Sequence, residues 1–138
     1  AAPPRSPPSP VVHRRAQGIS TTNAAEACKY VAEHSEAKIV VLEDQKQLDK
    51  FLSIRDSLPN LKTLVTWDCP VPAGVDRVLS WADFISLDGQ TTEAALDART
   101  ALVRPGHCAN LIYTSGTTGN PKAVMLSHSA MRDAGVLS

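Results

Sequence analysis

The sequence predicts an α/β fold built on a parallel sheet, and three observations point there. Residues 23–66 read helix, strand, helix, strand, the alternation of a βαβ-type region. The strand-like runs are short, apolar and β-branched, as in sheets covered on both faces. The remainder closes on two further apolar runs flanking a polar, glycine-bearing loop. With 138 residues and 43% hydrophobic side chains, the chain suits one ordinary domain or a piece of a larger one. Its 4% aromatic content is thin for a core that stands alone.

The first element in order is not structural. Residues 1–15 hold five of the ten prolines and three arginines, Arg5, Arg14 and Arg15, with no acid. This stretch reads as polyproline II or disorder, separate from a domain over 16–138. It lacks the apolar core of a secretory signal, and its prolines forbid the amphipathic helix of a transit peptide. The formal charge of the whole chain is zero, which argues against a polyanion such as nucleic acid as partner. No apolar run approaches the ~18–20 residues that span a bilayer.

Helix 23–35 is expected next, with Asn23 as cap and Glu26 closing a capping box. Ala24, Ala27, Cys28 and Val31 make its apolar stripe. Lys38–Leu42 is a buried strand, Asp44–Leu58 a helix with Leu48, Phe51, Leu52 and Leu58 on one face, and Leu61–Thr66 a second strand. The charges Asp44, Lys46, Asp49, Lys50 and Asp56 form a solvated face. No GxGxxG stands at either strand–helix turn, so a dinucleotide fingerprint is absent. Residues 68–79 are a loop, Ser80 caps a short helix Trp81–Leu87, and a further helix covers Thr92–Arg99. Trp81, Phe84 and Ile85 read as a packing patch. Asn110–Tyr113 and Ala123–Leu126 are the last strands, and a helix begins near Ser129.

The three cysteines, Cys28, Cys69 and Cys108, are odd in number and far apart, which suits free thiols. His107 and Cys108 are neighbours, but no second pair waits at ligand spacing, so zinc is not expected. His128 is either a pocket wall or a polar residue at a helix start.

The loop Ser115–Lys122 carries the chemistry. Gly116 and Gly119 can take positive φ and let a ligand approach the backbone. Their amides, with those of Thr117 and Thr118, can converge on an anion. Ser115, Thr117 and Thr118 add hydroxyl donors, and Lys122 adds a point charge suited to phosphate. The loop is not a Walker A sequence, because Pro121 stands where the second glycine belongs and Ala123 follows the lysine. From the residues alone, a polyphosphate cradle and an ordinary polar hairpin loop both stay open.

Tyr113-Thr114-Ser115-Gly116-Thr117-Thr118-Gly119-Asn120-Pro121-Lys122 resembles the phosphate loop of the adenylate-forming superfamily, and Met125-Leu126-Ser127-His128 fits that family's strand exit. Upstream, Ser20–Asn23, Glu26–Cys28, Tyr30–Glu33, Gln45–Leu48, Leu58–Lys62 and Ala94–Asp97 resemble the bubblegum-type long-chain acyl-CoA synthetases. The likeness runs over 16–138 and implies a partial N-terminal domain of such an enzyme. It implies ATP-dependent adenylation of a long-chain fatty acid, then thioester formation with coenzyme A. By resemblance, Thr114, Ser115, Gly116, Thr117, Thr118, Gly119 and Lys122 hold the ATP phosphates, Lys122 meets the growing charge, and Thr117 or Thr118 contacts Mg²⁺. The resemblance also implies a cytoplasmic setting, with peripheral attachment to the endoplasmic reticulum or another membrane. Where many members carry glycine, this chain has Ala123, which is harmless if the position is extended and strained if it needs positive φ. The adenine and ribose sites and the second half of the catalytic machinery are expected beyond Ser138, so the piece alone is expected to be inactive. Another adenylating ligase, luciferase-like or acting on aryl or short-chain acids, and a non-catalytic truncated product are the alternatives.

Overall fold

The computed structural model describes residues 15–114 and 120–136, the side chains of Gln90 and Val136 excepted. The Pro-rich segment 1–14 and the loop residues 115–119 lie outside the described residues. The described chain forms two units, 18–91 and 92–136 with 15–17.

In the unit 18–91, helix α1 spans Ala25–His34 and leads to strand β2, Ile39–Leu42. Helix α2, Gln45–Ile54, then leads to strand β3, Thr63–Thr66, and a short strand β4, Val78–Ser80, follows. The three strands pair in parallel in the order β2-β3-β4. Strand β1, Ala16–Gln17, belongs to the other unit. The parallel βαβ expectation holds, and β4 is an addition. Its three residues fall inside a stretch where prolines and Gly74 hide any alternation.

Two helix starts separate what the residues specify from what they only permit. Asp44 caps the start of α2, accepting the Gln47 N–H at 2.8 Å, and stays exposed as expected. Asn23 does not cap α1. The cap position is Ala24, without a side-chain bond. Asn23 is instead taken up by Lys50, whose Nζ donates to the carbonyls of Thr21 and Asn23 at 3.1 and 2.6 Å. The helix starts one residue later than expected, and the buried stripe is Cys28, Val31 and Ala32, with Ala24 exposed. α1 ends in a Schellman motif. The Ala37 N–H reaches the Ala32 carbonyl, the Glu36 N–H reaches that of Glu33, and Glu36 stands at φ 56°.

Both helices pack on one face of the sheet. Cys28, Ala32, Val40, Leu42, Leu48, Phe51, Ile54, Leu58, Leu61, Leu64 and Val78 form the core. Strand β2 was expected to be buried on both sides, yet it alternates. Val40 and Leu42 are buried, while Ile39 and Val41 are 47% and 51% exposed. Helix α3, Trp81–Ser86, is capped by Ser80, whose hydroxyl accepts the Asp83 N–H at 3.1 Å. Trp81 packs between Trp67 and Phe84, while Ile85 stays exposed outside that patch.

In the other unit, strand β5 (Cys108–Thr114) is the centre of a mixed sheet. Strand β1, Ala16–Gln17, runs parallel to it, and strand β6, Lys122–Ser127, runs antiparallel. Helix α4 covers Glu93–Thr100, with Thr92 accepting the Ala95 N–H at 3.2 Å. Helix α5 covers His128–Val136, and the Ser127 hydroxyl accepts the Ala130 N–H at 3.2 Å. Leu111 is buried, whereas its neighbour Ile112 is half-exposed, so β5 too is sealed on one face.

Candidate functional site

Strands β5 and β6 are the two rails of a hairpin whose tip is the loop. Their ladder runs from Asn110 opposite Leu126 to Thr114 opposite Lys122, the last pair before the loop opens. Tyr113 is followed by no further apolar residue until Ala123, so the apolar pattern stops where the pairing stops. The Thr114 hydroxyl donates across the neck to the Lys122 carbonyl at 3.4 Å, a long bond. Thr114 and Lys122 are both exposed, and Lys122 has no ion-pair partner among the described residues. Pro121 is half-buried beside them. Ser115, Gly116, Thr117, Thr118 and Gly119, the other expected phosphate ligands, lie outside the described residues.

The base of the hairpin is pinned from below. The His128 N–H donates to the His107 carbonyl at 3.0 Å, and the Ser129 N–H to that of Pro105 at 2.9 Å. These bonds tie the turn before β5 to the first residues of α5, so the two rails share one anchor. His107 also accepts the Arg104 N–H on Nδ1 at 3.0 Å, which fixes its ring as part of the turn. This anchor was not legible beforehand, because nothing in the spacing of Pro105, His107 and His128 announces a pairing. His128 itself is the first residue of α5 and half-buried, the helix-start role.

Ala123 lies within β6, opposite Tyr113. Among the described residues other than glycine, only Glu36 and Arg77 have positive φ, so Ala123 is extended and unstrained. The β5 ladder carries a register shift between Cys108 and Asn110. The Cys108 thiol contacts the Asn110 carbonyl at 3.3 Å there. No group of three or more His, Cys, Asp or Glu that could hold a metal is present among the described residues. Burial pushes the Cys28 thiol up, with Lys50 partly opposing it. Burial and then Asp44, Asp68 and Asp49 push Cys69 up. Both shifts favour the protonated thiol near neutral pH.

An exposed lysine thus stands at the neck of a loop whose sequence carries glycines and hydroxyls. Comparison with known proteins shows the family. The chain belongs to the AMP-binding enzyme family, whose model matches residues 16–137. Within it, the chain is similar to bubblegum-type long-chain-fatty-acid–CoA ligases. It is 46% identical over 113 residues to the long-chain-fatty-acid–CoA ligase ACSBG2 of Xenopus laevis, covering 82% of this chain and 15% of the relative. It is 44% identical over 110 residues to the human ACSBG1 ligase, covering 80% and 15%. The chain thus spans about 15% of the length of these relatives. Among solved structures it resembles the anthranilate CoA ligase AuaEII bound to anthranoyl-AMP. There the TM-score is 0.67 at 30% identity, covering 83% of this chain and 20% of that one. A long-chain-fatty-acid CoA ligase described as putative, from Rhodopseudomonas palustris, shares the fold at TM-score 0.60 and 13% identity, covering 87% and 27%. The fold is therefore a mixed α/β part of an adenylate-forming N-terminal domain.

Proposed function

We propose that residues 114–122 bind the phosphates of ATP in a long-chain fatty acid–CoA ligase of which 16–138 is part of the N-terminal domain. The observation that carries this reading is Lys122. It is exposed, has no ion-pair partner among the described residues, and stands at the rim of a loop rich in backbone and hydroxyl donors. The compact ammonium of a lysine exposed at that place suits a phosphate from outside the chain.

In the proposed reaction the fatty acid carboxylate attacks the α-phosphorus of ATP, giving an acyl-AMP and pyrophosphate. The coenzyme A thiolate then attacks the acyl carbonyl, giving the thioester and AMP. Charge grows on the departing pyrophosphate, and the ammonium of Lys122 with the hydroxyls and amides of 115–119 stabilise it. Thr114 keeps the neck closed through its bond to the Lys122 carbonyl and so sets where the ammonium starts. The described residues offer no carboxylate cluster for Mg²⁺. Thr117 or Thr118 would be the residue of this chain that holds the ion. When bound, it supplies charge neutralisation of the phosphates. The proposed setting is cytoplasmic, peripheral on the endoplasmic reticulum or another membrane. No helix among the described residues is long and apolar enough to cross one.

The test is ATP binding by the purified chain. A charged hydrogen bond contributes about 1.5–3 kcal/mol, so Lys122→Ala weakens ATP by about 10- to 150-fold. Lys122→Arg recovers only part, because a planar fork does not replace a compact ammonium in a tight loop. Equal affinity in wild type and Lys122→Ala overturns the assignment. A second expectation is that the chain alone makes no palmitoyl-CoA from ATP, Mg²⁺, palmitate and coenzyme A. Thioester formation by the pure chain contradicts it.

A further inference from the structure

The β5–β6 hairpin carries one extra residue at its root. Cys108 lies opposite Ser127 and Asn110 opposite Leu126, so Ala109 has no counterpart on β6. An antiparallel ladder takes up such a residue as a bulge. If the bulge moves along the strand, every pair it passes shifts by one residue, and a one-residue shift turns each side chain to the other face. At the far end of the ladder that parts Thr114 from Lys122, the pair at the neck of the loop. The place of the bulge therefore has to be fixed from outside the ladder.

The turn Arg104–His107 does this. The His107 carbonyl receives the His128 N–H and the Pro105 carbonyl the Ser129 N–H, so the chain entering β5 is held to the chain leaving β6 before the bulge is reached. The turn itself is closed twice between the same two residues. The His107 N–H donates to the Arg104 carbonyl at 2.9 Å, and the Arg104 N–H donates to His107 Nδ1 at 3.0 Å. The second bond needs a neutral imidazole with its proton on Nε2. An imidazolium carries a proton on Nδ1 as well, and two N–H groups then face each other. His107 is only partly buried, so a proton from solvent reaches its ring. The charged and titratable groups on the elements that meet at this root are Arg104 on the turn, Cys108 on β5, Lys122 at the far end of β6, and His128, Arg132 and Asp133 on α5. The one carboxylate among them, Asp133, pairs with Arg132 at 2.9 Å.

We propose that His107 is the positioning residue of the hairpin and acts as a neutral acceptor. It locks the bulge at Ala109 when neutral and releases it when protonated, so the neck of the loop keeps its register only while the ring is uncharged. This deepens the phosphate-loop reading, and its ATP arm rests on that reading.

The full chain is titrated with ATP at pH 8 and at pH 5.5, on either side of the ordinary imidazole value of about 6.5. His107→Asn is the paired variant, because its side-chain oxygen accepts the Arg104 N–H and does not titrate. The phosphates of ATP and the other histidines titrate in both chains alike, so the difference between the chains isolates His107. Wild type is expected to lose at least about tenfold more affinity than His107→Asn on going to pH 5.5. Amide exchange at His128, corrected for the intrinsic rate, is read without nucleotide. Its protection is expected to fall at least about tenfold in wild type and to hold in His107→Asn. His107→Ala is expected to show both losses already at pH 8. The wild-type titration needs no variant, so the test stands even where His107→Ala does not fold. Fluorescence of Trp67 and Trp81, both in the other unit, is expected to stay unchanged at pH 5.5. Absence of ATP binding at pH 8 overturns the phosphate reading alone, and His128 protection then decides the role of His107. Equal acid losses in wild type and His107→Asn, or unchanged His128 protection in wild type, overturn that role.

Discussion

The β2-β3-β4 sheet and the β5–β6 hairpin use similar apolar strands for opposite ends. In the first, residues from two helices and three strands interlock into one core. In the second, Leu111 is the one strand residue that is fully buried among those described, and Ile112, Val124 and Met125 face outward. The first unit holds most of the folding energy, since apolar burial is what stabilises a fold. The second carries the proposed phosphate loop, on rails fixed by a ladder and by the Pro105–His107 anchor. Stability and function are thus separable by mutation, and each expected outcome below tests that separation.

The largest expected effect is on the core. Leu48 is completely buried, and Leu48→Ala removes it from the centre of that core. The expected loss is about 2–5 kcal/mol, read as a lower urea midpoint. Both tryptophans, Trp67 and Trp81, lie in this unit, so their fluorescence reports its unfolding specifically. Ile112→Ala, on the hairpin, is expected to cost less than about 1 kcal/mol and to leave that signal unchanged. Equal effects from the two would erase the distinction between the units.

Next comes the α2 cap. Asp44→Ala removes the acceptor for the Gln47 N–H and is expected to cost about 0.5–2 kcal/mol by the same fluorescence. Asn23→Ala is expected to be near neutral, because its carbonyl rather than its side chain is used. Glu36→Gly should go the other way. Glu36 holds positive φ at the end of α1, and glycine there relieves about 1 kcal/mol of strain. A fall in midpoint would show that the Schellman turn is not where the strain lies.

The smallest effect is on pH. Burial raises the Cys28 thiol above its ordinary value of 9.0. The folded state therefore holds its proton longer than the unfolded state. The associated stability is present below pH 9 and is lost as pH rises through the folded value. Cys28→Ala is expected to flatten the decline in urea midpoint on the alkaline side. An unchanged alkaline slope would assign that loss to Cys69 or to other groups.

How much of this was legible follows the same division. The strands flanking the loop could be read because they are apolar runs on either side of a polar, glycine-bearing stretch, and the family could be read because the resemblance sits on ten contiguous residues, Tyr113–Lys122. The α2, α3 and α4 starts were legible through Ser80, Thr92 and the onset of apolar periodicity after Asp44. The α1 start was misread because Asn23 has the right chemistry for a cap, yet the cap position is Ala24, while the Asn23 carbonyl is bonded by Lys50, twenty-seven positions later. Strand β1 was missed because two residues give no periodicity, and its strand character comes entirely from pairing with Asn110 and Leu111. The half-exposure of β2 was invisible for a related reason. Ile39 and Val41 read as buried, and only the sheet order shows that no strand among the described residues lies beside them.

The central claim is that Lys122 and the loop above it are built for a chain of phosphates. The most direct measurement compares the affinities of AMP, ADP and ATP for the chain and for Lys122→Ala at fixed, low ionic strength, where screening is weakest. The account predicts affinity that rises with each added phosphate in the wild type and a much flatter series in the variant, with the ATP value falling most. Equal affinities for the three nucleotides in the wild type, or a parallel drop of all three in the variant, would contradict it.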